Sequence, residues 1–270
     1  VDASLLDLRP GDMLVVTNTY GMRRTAPIRD VPQGVVLVED HTHDPLSGWA
    51  RTSSADFAFA SLRKWLPIPD GAMLWSPASK PVPQPPTFHA EAHAASAAIT
   101  LDRLTGMLLK QRYLAGEPVV KDDFRARAIA GESAIGKGAP APISPLSRAL
   151  LDVVPIREWR LARIRNHAPF VRALGPIRGL RTITRAGDDE RAPYAVVLAF
   201  EQSDTRERVR AALVERNVYP AILWSIDAGR VPGIPTEHVE LSRHVLCLHC
   251  DHRYGATDME RVAAAVRGAM

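Results

Sequence analysis

The stretch from Gly34 to Met73 constrains this chain more than any other. Val35–Val38 is a run of branched and aliphatic residues without polar alternation, the pattern of a strand covered on both faces in a parallel sheet. It ends in Glu39-Asp40, with His41, His43 and Asp44 just beyond. A second apolar run, Phe57–Ala60, leads into Ser61-Leu62-Arg63-Lys64. Functional groups of parallel sheets gather beyond the carboxyl ends of strands. Asp40 and Lys64 both fall at such ends, twenty-four positions apart, about the length of one excursion between neighbouring strands.

An acid at one strand end and a lysine at another match the needs of a pyridoxal phosphate site. There a lysine forms an imine with the cofactor aldehyde, and an acid keeps the pyridine nitrogen protonated so that the ring accepts carbanion electrons. The apolar residues around Lys64, Phe57–Ala60 before it and Trp65-Leu66-Pro67 after it, predict a lysine that loses its charge easily and becomes nucleophilic.

These residues carry a resemblance. The run VED-HTH-D, followed by SADFAFASLRK and LPIPDGAM, resembles the fold-type I pyridoxal phosphate enzymes, and among them is most similar to the DegT/DnrJ/EryC1/StrS sugar aminotransferases. That family places His or Gln three residues after an Asp, then a Ser-aromatic stretch with the Schiff-base lysine, then Gly-Gly-Met. The resemblance implies Asp40 as the pyridinium partner, His43 beside the ring and Lys64 as the imine lysine, with Gly71-Ala72-Met73 in place of Gly-Gly-Met. Two departures stand out: Ser61 lies three residues before the lysine, as in the broader S-x-x-K aminotransferase pattern, and Ala72 replaces a glycine.

Further roles are expected. Ser61 is a candidate phosphate ligand, with Arg63 able to add positive charge. The likeness implies Tyr20, at the end of the strand Asp12–Asn18, as a candidate wall of the cofactor or substrate site, against a plain loop aromatic, and Arg253 as a candidate ligand for a substrate carboxylate or phosphate. The implied fold is α/β, an aspartate-aminotransferase-like large domain with a mainly parallel sheet, plus a C-terminal α+β small domain. We place boundaries at 1–80 for a partial large domain, 81–175 for a proline-rich linker and helical connection, and 176–270 for the small domain. The implied activity moves an amino group from an amino acid such as glutamate to a keto-sugar or similar carbonyl acceptor, in a homodimer. Fold-type I enzymes carry roughly a hundred further residues ahead of the first strand read here, about a small domain in length. These include a Gly/Ser/Thr turn at a helix N-terminus that binds the cofactor phosphate. Neither that turn nor the usual stacking aromatic is visible in this sequence. The rival readings are therefore a silent structural or regulatory homologue, and a lyase or dehydratase on the same cofactor.

The rest of the chain narrows the classes. Two cysteines in 270 residues argue against a disulfide framework and make a reducing cytoplasm the default. No apolar run reaches membrane-spanning length. The net charge of +4 arises from arginines dispersed among acids, as in RERVRAALVER, which reads as a solvated surface rather than a nucleic-acid groove. S-x-x-K also occurs in serine β-lactamases, but the accompanying K-T-G is absent, which disfavours a serine hydrolase. Gly131…Gly136-Lys137-Gly138 mimics a phosphate loop without the following Ser/Thr. Cys247-Leu248-His249-Cys250 reads as buried small residues of a strand; no second cysteine pair completes a metal set, and no metal is expected at His41, His43 and Asp44.

By elements, we expect a helix ending near Leu8 and strands at 12–18, 35–40, 57–60 and 72–76. An irregular run with five prolines spans 77–86. Helices follow at 91–114 and 121–129, then a loop at 136–141. A helix capped by Ser144-Pro145 runs toward Gly175 with interruptions at Pro155 and Pro169. The last part reads strand 194–200, helix 204–216, strand 219–224, strand 245–249 and helix 258–270.

Overall fold

The computed structural model describes residues 6–28, 30–83, 90–137, 141–227, 229 and 233–270, without side chains at 90–92. Half of the expected helix ending near Leu8 lies outside these residues, as do Pro85, Pro86 and half of the 136–141 loop. In chain order the strands are β1 (Met13–Thr17), β2 (Val36–Asp40), β3 (Phe57–Ser61), β4 (Ala72–Trp75), β5 (Leu180–Thr182), β6 (Val196–Phe200) and β7 (Val245–Leu248). The helices are α1 (Gly48–Thr52), α2 (Ala90–Leu114), α3 (Lys121–Lys137), α4 (Pro145–Leu151), α5 (Ile156–Leu174), α6 (Ser203–Glu215), α7 (Thr236–His244) and α8 (Ala256–Ala269). Single 3-10 turns occupy Thr19–Gly21 and Leu62–Lys64. No helix among the described residues is long and apolar enough to cross a membrane.

The residues form two compact units, one of Val1–Val35, His43–Ser53 and Pro155–Met270, the other of Val36–Thr42 and Ser54–Val154. They interleave along the chain, whereas the sequence reading set consecutive segments with limits near 80 and 175. In the 36–154 unit, β2 pairs in parallel with β3 (Asp40 opposite Phe59), and β3 pairs antiparallel with β4 (Ser61 opposite Ala72). The sheet is thus mixed, and the fold is α/β. α2 and α3 run as long helices, and α3 continues through Gly136-Lys137, where a loop was expected. Residues 131–137 of the phosphate-loop mimic are therefore helical. α4 starts as its sequence dictates. Pro145 occupies the first turn and the Ser144 hydroxyl accepts from the Ser147 N–H at 3.2 Å, so an orphan donor is satisfied. The Asp70 carboxylate accepts from both the Ser144 N–H and hydroxyl at 2.7 Å, which anchors the start of α4.

In the other unit, an antiparallel sheet β5-β6-β7 carries helices on one face. All five residues of β6 are buried. Val196, Leu198 and Phe200 point with Leu246 and Leu248 into a core closed by Phe170 of α5, Val209 and Leu213 of α6, and Met259, Ala263 and Val266 of α8. Each such side chain contributes about 1.5–3 kcal/mol by leaving water. The alternate residues Val197, Ala199, Val245 and Cys247 form a second cluster with Tyr194, Tyr20 and Leu223. Pro169 is tolerated inside α5, whose expected interruption falls only at Pro155, and the helix stops at Gly175 with φ 58°, a conformation that costs glycine little.

Two expectations need correction here. The segment 219–224 is not a strand: only Ala221 bridges to Cys247, and Trp224 has φ 54°, incompatible with a strand for a residue bearing a side chain. The helix α7 and the short β5 went unread, because neither has a long periodic pattern.

Cys247 and Cys250 are unpaired and buried. Burial pushes their thiols up to about 11 and about 12 respectively, so almost no thiolate exists at neutral pH. Ellman's reagent is expected to titrate no thiol in the native protein and both after denaturation. Rapid native reaction of either would contradict this packing.

Candidate functional site

The carboxyl ends of β2 and β3 meet in the 36–154 unit. Alternation along β2 turns Glu39 to the face opposite Asp40. Glu39 and His41 are fully buried, and the Glu39 Oε2 lies 2.8 Å from the His41 Nε2. The His41 ring stacks on Trp75 at 5.9 Å. Asp40, half-buried, accepts the Thr42 N–H at 2.8 Å. The Thr42 hydroxyl in turn accepts the Ser61 N–H at 3.0 Å, which ties the two strand ends together. With Asp40 opposite Phe59, Asp40, Phe59 and Ser61 share one face of the sheet.

Lys64 follows on the 3-10 turn. Leu62, Trp65, Leu66 and Ile68 turn inward and are buried, and Lys64 is left exposed. This corrects the apolar setting expected for it: its hydrophobic neighbours in sequence pack away from it. Among the described residues its ammonium has neither a hydrogen bond nor an ion-pair partner; its charge is felt by Glu132. Arg63 is not free for an anion. It pairs with Glu132 at 2.6 Å, and Arg103 joins the same carboxylate oxygen at 2.9 Å. Ser61 lines a cavity of about 460 Å³ together with Gly71, Ala72, Ser96 and Thr100, and neither Asp40 nor Lys64 is among its walls.

Tyr20, His43 and Arg253 belong to the other unit. Tyr20 sits at φ 58° in the Thr19–Gly21 turn, and its N–H donates to the His43 Nδ1 at 2.9 Å. The His43 ring is 4% exposed and is enclosed by aromatic rings, with centroids at 4.4 Å for Tyr194, 4.9 Å for Trp224 and 6.0 Å for Tyr20. Burial, with Cys247 beside it, raises the Tyr20 hydroxyl above its ordinary range. Gly21 cannot be replaced here. A Cβ on it would stand 2.4 Å from the Ala192 carbonyl oxygen, at a φ of +68° that side chains rarely adopt. Arg253 donates from its Nε and Nη2 to both oxygens of Asp251, at 2.8 and 2.7 Å. A substrate anion at Arg253 would have to share that fork.

Sequence reasoning missed the anchor beneath His43. Asp44 is wholly buried and accepts two parallel bonds from Arg160, each 3.0 Å, and the Ala192 N–H at 2.7 Å. Burial pushes the Asp44 carboxyl up, and the Arg160 guanidinium works against that push. The only local signal was the polar run His41–Asp44. Its partner lies 116 residues away, and nothing in its neighbourhood marks it.

No family model and no curated protein matches the sequence. Solved structures do. The chain is similar to the aminotransferase TlmJ from Streptoalloteichus hindustanus (17% identity, TM-score 0.55, 97% of this chain and 67% of that one). It is also similar to DesI determined with its TDP-sugar product (16%, 0.57, 98% and 64%), and to the sugar aminotransferase CalS13 from Micromonospora echinospora (12%, 0.54, 98% and 69%). The chain spans about two thirds of the length of these structures. At such identities the likeness establishes the architecture: this chain has the fold of the matching part of the sugar aminotransferases.

Proposed function

We propose that this chain is part of a pyridoxal phosphate-dependent aminotransferase that moves an amino group from an amino acid to a keto-sugar or similar carbonyl, acting as a cytoplasmic homodimer. The observation that carries this reading is the pairing of β2 with β3. It sets a half-buried carboxylate, Asp40, and a lysine without a bonded partner among the described residues, Lys64, at or just beyond the ends of two adjacent parallel strands of one unit. The residues present fit the cofactor in kind. Asp40 keeps acceptor capacity beyond its single bond from Thr42, and the Ser61 hydroxyl is a donor for a phosphate oxygen.

When bound, pyridoxal phosphate supplies an electron sink for the carbanion at the donor's α-carbon. Asp40 would hold the proton on the pyridine nitrogen through its carboxylate. Lys64 would hold the cofactor through its Nζ and serve as the base for the proton on the donor's α-carbon. Thr42, bridging Asp40 and Ser61 through its N–H and hydroxyl, positions both strand ends.

The exposure of Lys64 favours a second reading, a silent homologue that serves as a structural or regulatory subunit. Borohydride trapping separates the two. Protein incubated with pyridoxal phosphate, reduced and digested is expected to carry the label on the peptide holding Lys64, with an absorbance band in the visible range before reduction. Lys64→Ala is expected to lose both, and Lys80→Ala to keep them. Equal labelling of the two variants, or no retained band on gel filtration, supports the silent homologue. Half-transamination with a panel of amino acids then separates amino transfer from dehydration or other lyase chemistry.

A further inference from the structure

The unit containing the C-terminal sheet holds a cavity of about 470 Å³ whose walls include Tyr20, Leu223, Trp224, Ile226, Arg23 and His238. The size suits a small ligand, and such sites typically combine an apolar lining with a few placed polar groups. Two features make this one more than a surface dip.

The first is backbone strain. Among the described residues five non-glycine ones have positive φ, and the two aromatic ones, Tyr20 at 58° and Trp224 at 54°, both line this cavity. Their rings meet at a centroid distance of 5.5 Å and 46°. Bulky side chains adopt this conformation at a cost, which persists only where the surroundings demand it. Trp224 is also 52% exposed, so the strained backbone leaves half of an indole in water instead of burying it. Both costs are offset if the ring serves as a platform for something that covers it.

The second is charge. Among the described residues no acidic one lines the cavity. The Arg23 backbone N–H is held by the Asn18 side-chain oxygen at 3.2 Å, which fixes the residue at the rim. Among the described residues its guanidinium has no hydrogen-bonded or ion-paired partner. A cation beside an aromatic platform, without a neutralising carboxylate among the described walls, matches a planar ring that carries a negative group.

We propose that this cavity binds a small planar aromatic carboxylate, its ring against Trp224 and Tyr20 and its anionic group on Arg23. The proposal shares Tyr20 with the cofactor reading but none of Asp40, Ser61 and Lys64, which lie outside the cavity walls. The test is calorimetric titration of the full chain with 2-naphthoate. Two comparators are 2-naphthalenemethanol, with the same ring and no charge, and cyclohexanecarboxylate, with the charge and no aromatic ring. One-to-one binding of 2-naphthoate is expected, at least tenfold tighter than either comparator and weaker at high salt. Trp224→Ala and Arg23→Ala should each weaken it at least tenfold, Trp224→Phe should restore most of the loss, and thermal unfolding of each variant confirms that it is folded. Lys64→Ala should bind 2-naphthoate like the parent, which separates this proposal from aminotransfer. No binding, equal affinity for the three probes, or unchanged affinity in a folded Trp224→Ala or Arg23→Ala overturns it.

Discussion

Replacing Asp44 by alanine is expected to destabilise the protein by about 3–5 kcal/mol, the usual cost of breaking a buried ion pair by removing one partner. Asp44 is 0% exposed and the Arg160 side chain 8%, so water cannot replace the lost carboxylate. Arg160 would keep only its bond to the Asp189 carbonyl oxygen at 3.1 Å, and the Ala192 N–H would lose its acceptor. Asp44→Asn keeps one oxygen for that N–H and should cost less. The double replacement Asp44→Leu with Arg160→Met removes both charges and should be milder than Asp44→Ala alone, because the larger part of the single-variant cost is the stranded guanidinium. Urea unfolding midpoints compare the four proteins. Equal destabilisation by Asp44→Ala and by the double replacement would show that the pair contributes packing and not charge.

His167 is expected to make the protein lose stability as the pH falls from about 6.5 to about 4. Its ring is 1% exposed in α5, and burial depresses its pKa from 6.5 to about 4. The Thr184 oxygen already accepts the Val197 N–H at 3.0 Å. The same hydroxyl lies 3.1 Å from the His167 Nε2. Between the two pKa values the unfolded chain binds a proton that the folded one refuses. Stability is accordingly full above about 6.5 and declines with pH until the folded value is reached. The decline amounts to about 3 kcal/mol when integrated over the window. Asp251, held far below its usual range against burial by Arg253, adds a further loss only at more acid pH, below the ordinary carboxylate value. A His167→Gln variant should be flatter between pH 4 and 6.5 than the parent in denaturant titrations. Parallel curves for the two would remove His167 as the source.

The legible parts of this chain are those in which local pattern and tertiary environment agree. β2 and β3 are read from uninterrupted apolar runs, and the start of α4 from Ser144-Pro145. The segment 219–224 failed because its apolar residues carry the composition of a strand without the backbone: Trp224 lies in the left-handed region, which composition does not reveal. Lys64 failed in the opposite sense. Its neighbours are as apolar as expected, yet a 3-10 turn separates the direction of Lys64 from theirs, and a shift of one residue in a turn decides exposure. Arg63 and Arg253 looked available as anion ligands in sequence. In the fold both are engaged by carboxylates, one on α3 and one two residues away.

By itself, the order of residues determined which segments could be strands and helices, that a carboxylate ends one apolar run, and that a lysine follows the next. Such features depend on neighbours within a few positions, where sterics and periodic burial act directly. Only the tertiary structure decided that Asp40 and Ser61 share a sheet face through Thr42, and that Asp44 is neutralised by a guanidinium from α5. It likewise decided that His43 is enclosed by rings from 20, 194 and 224. Those pairings join residues up to about two hundred positions apart, and they exist because burial leaves each polar group to find a partner wherever the chain returns.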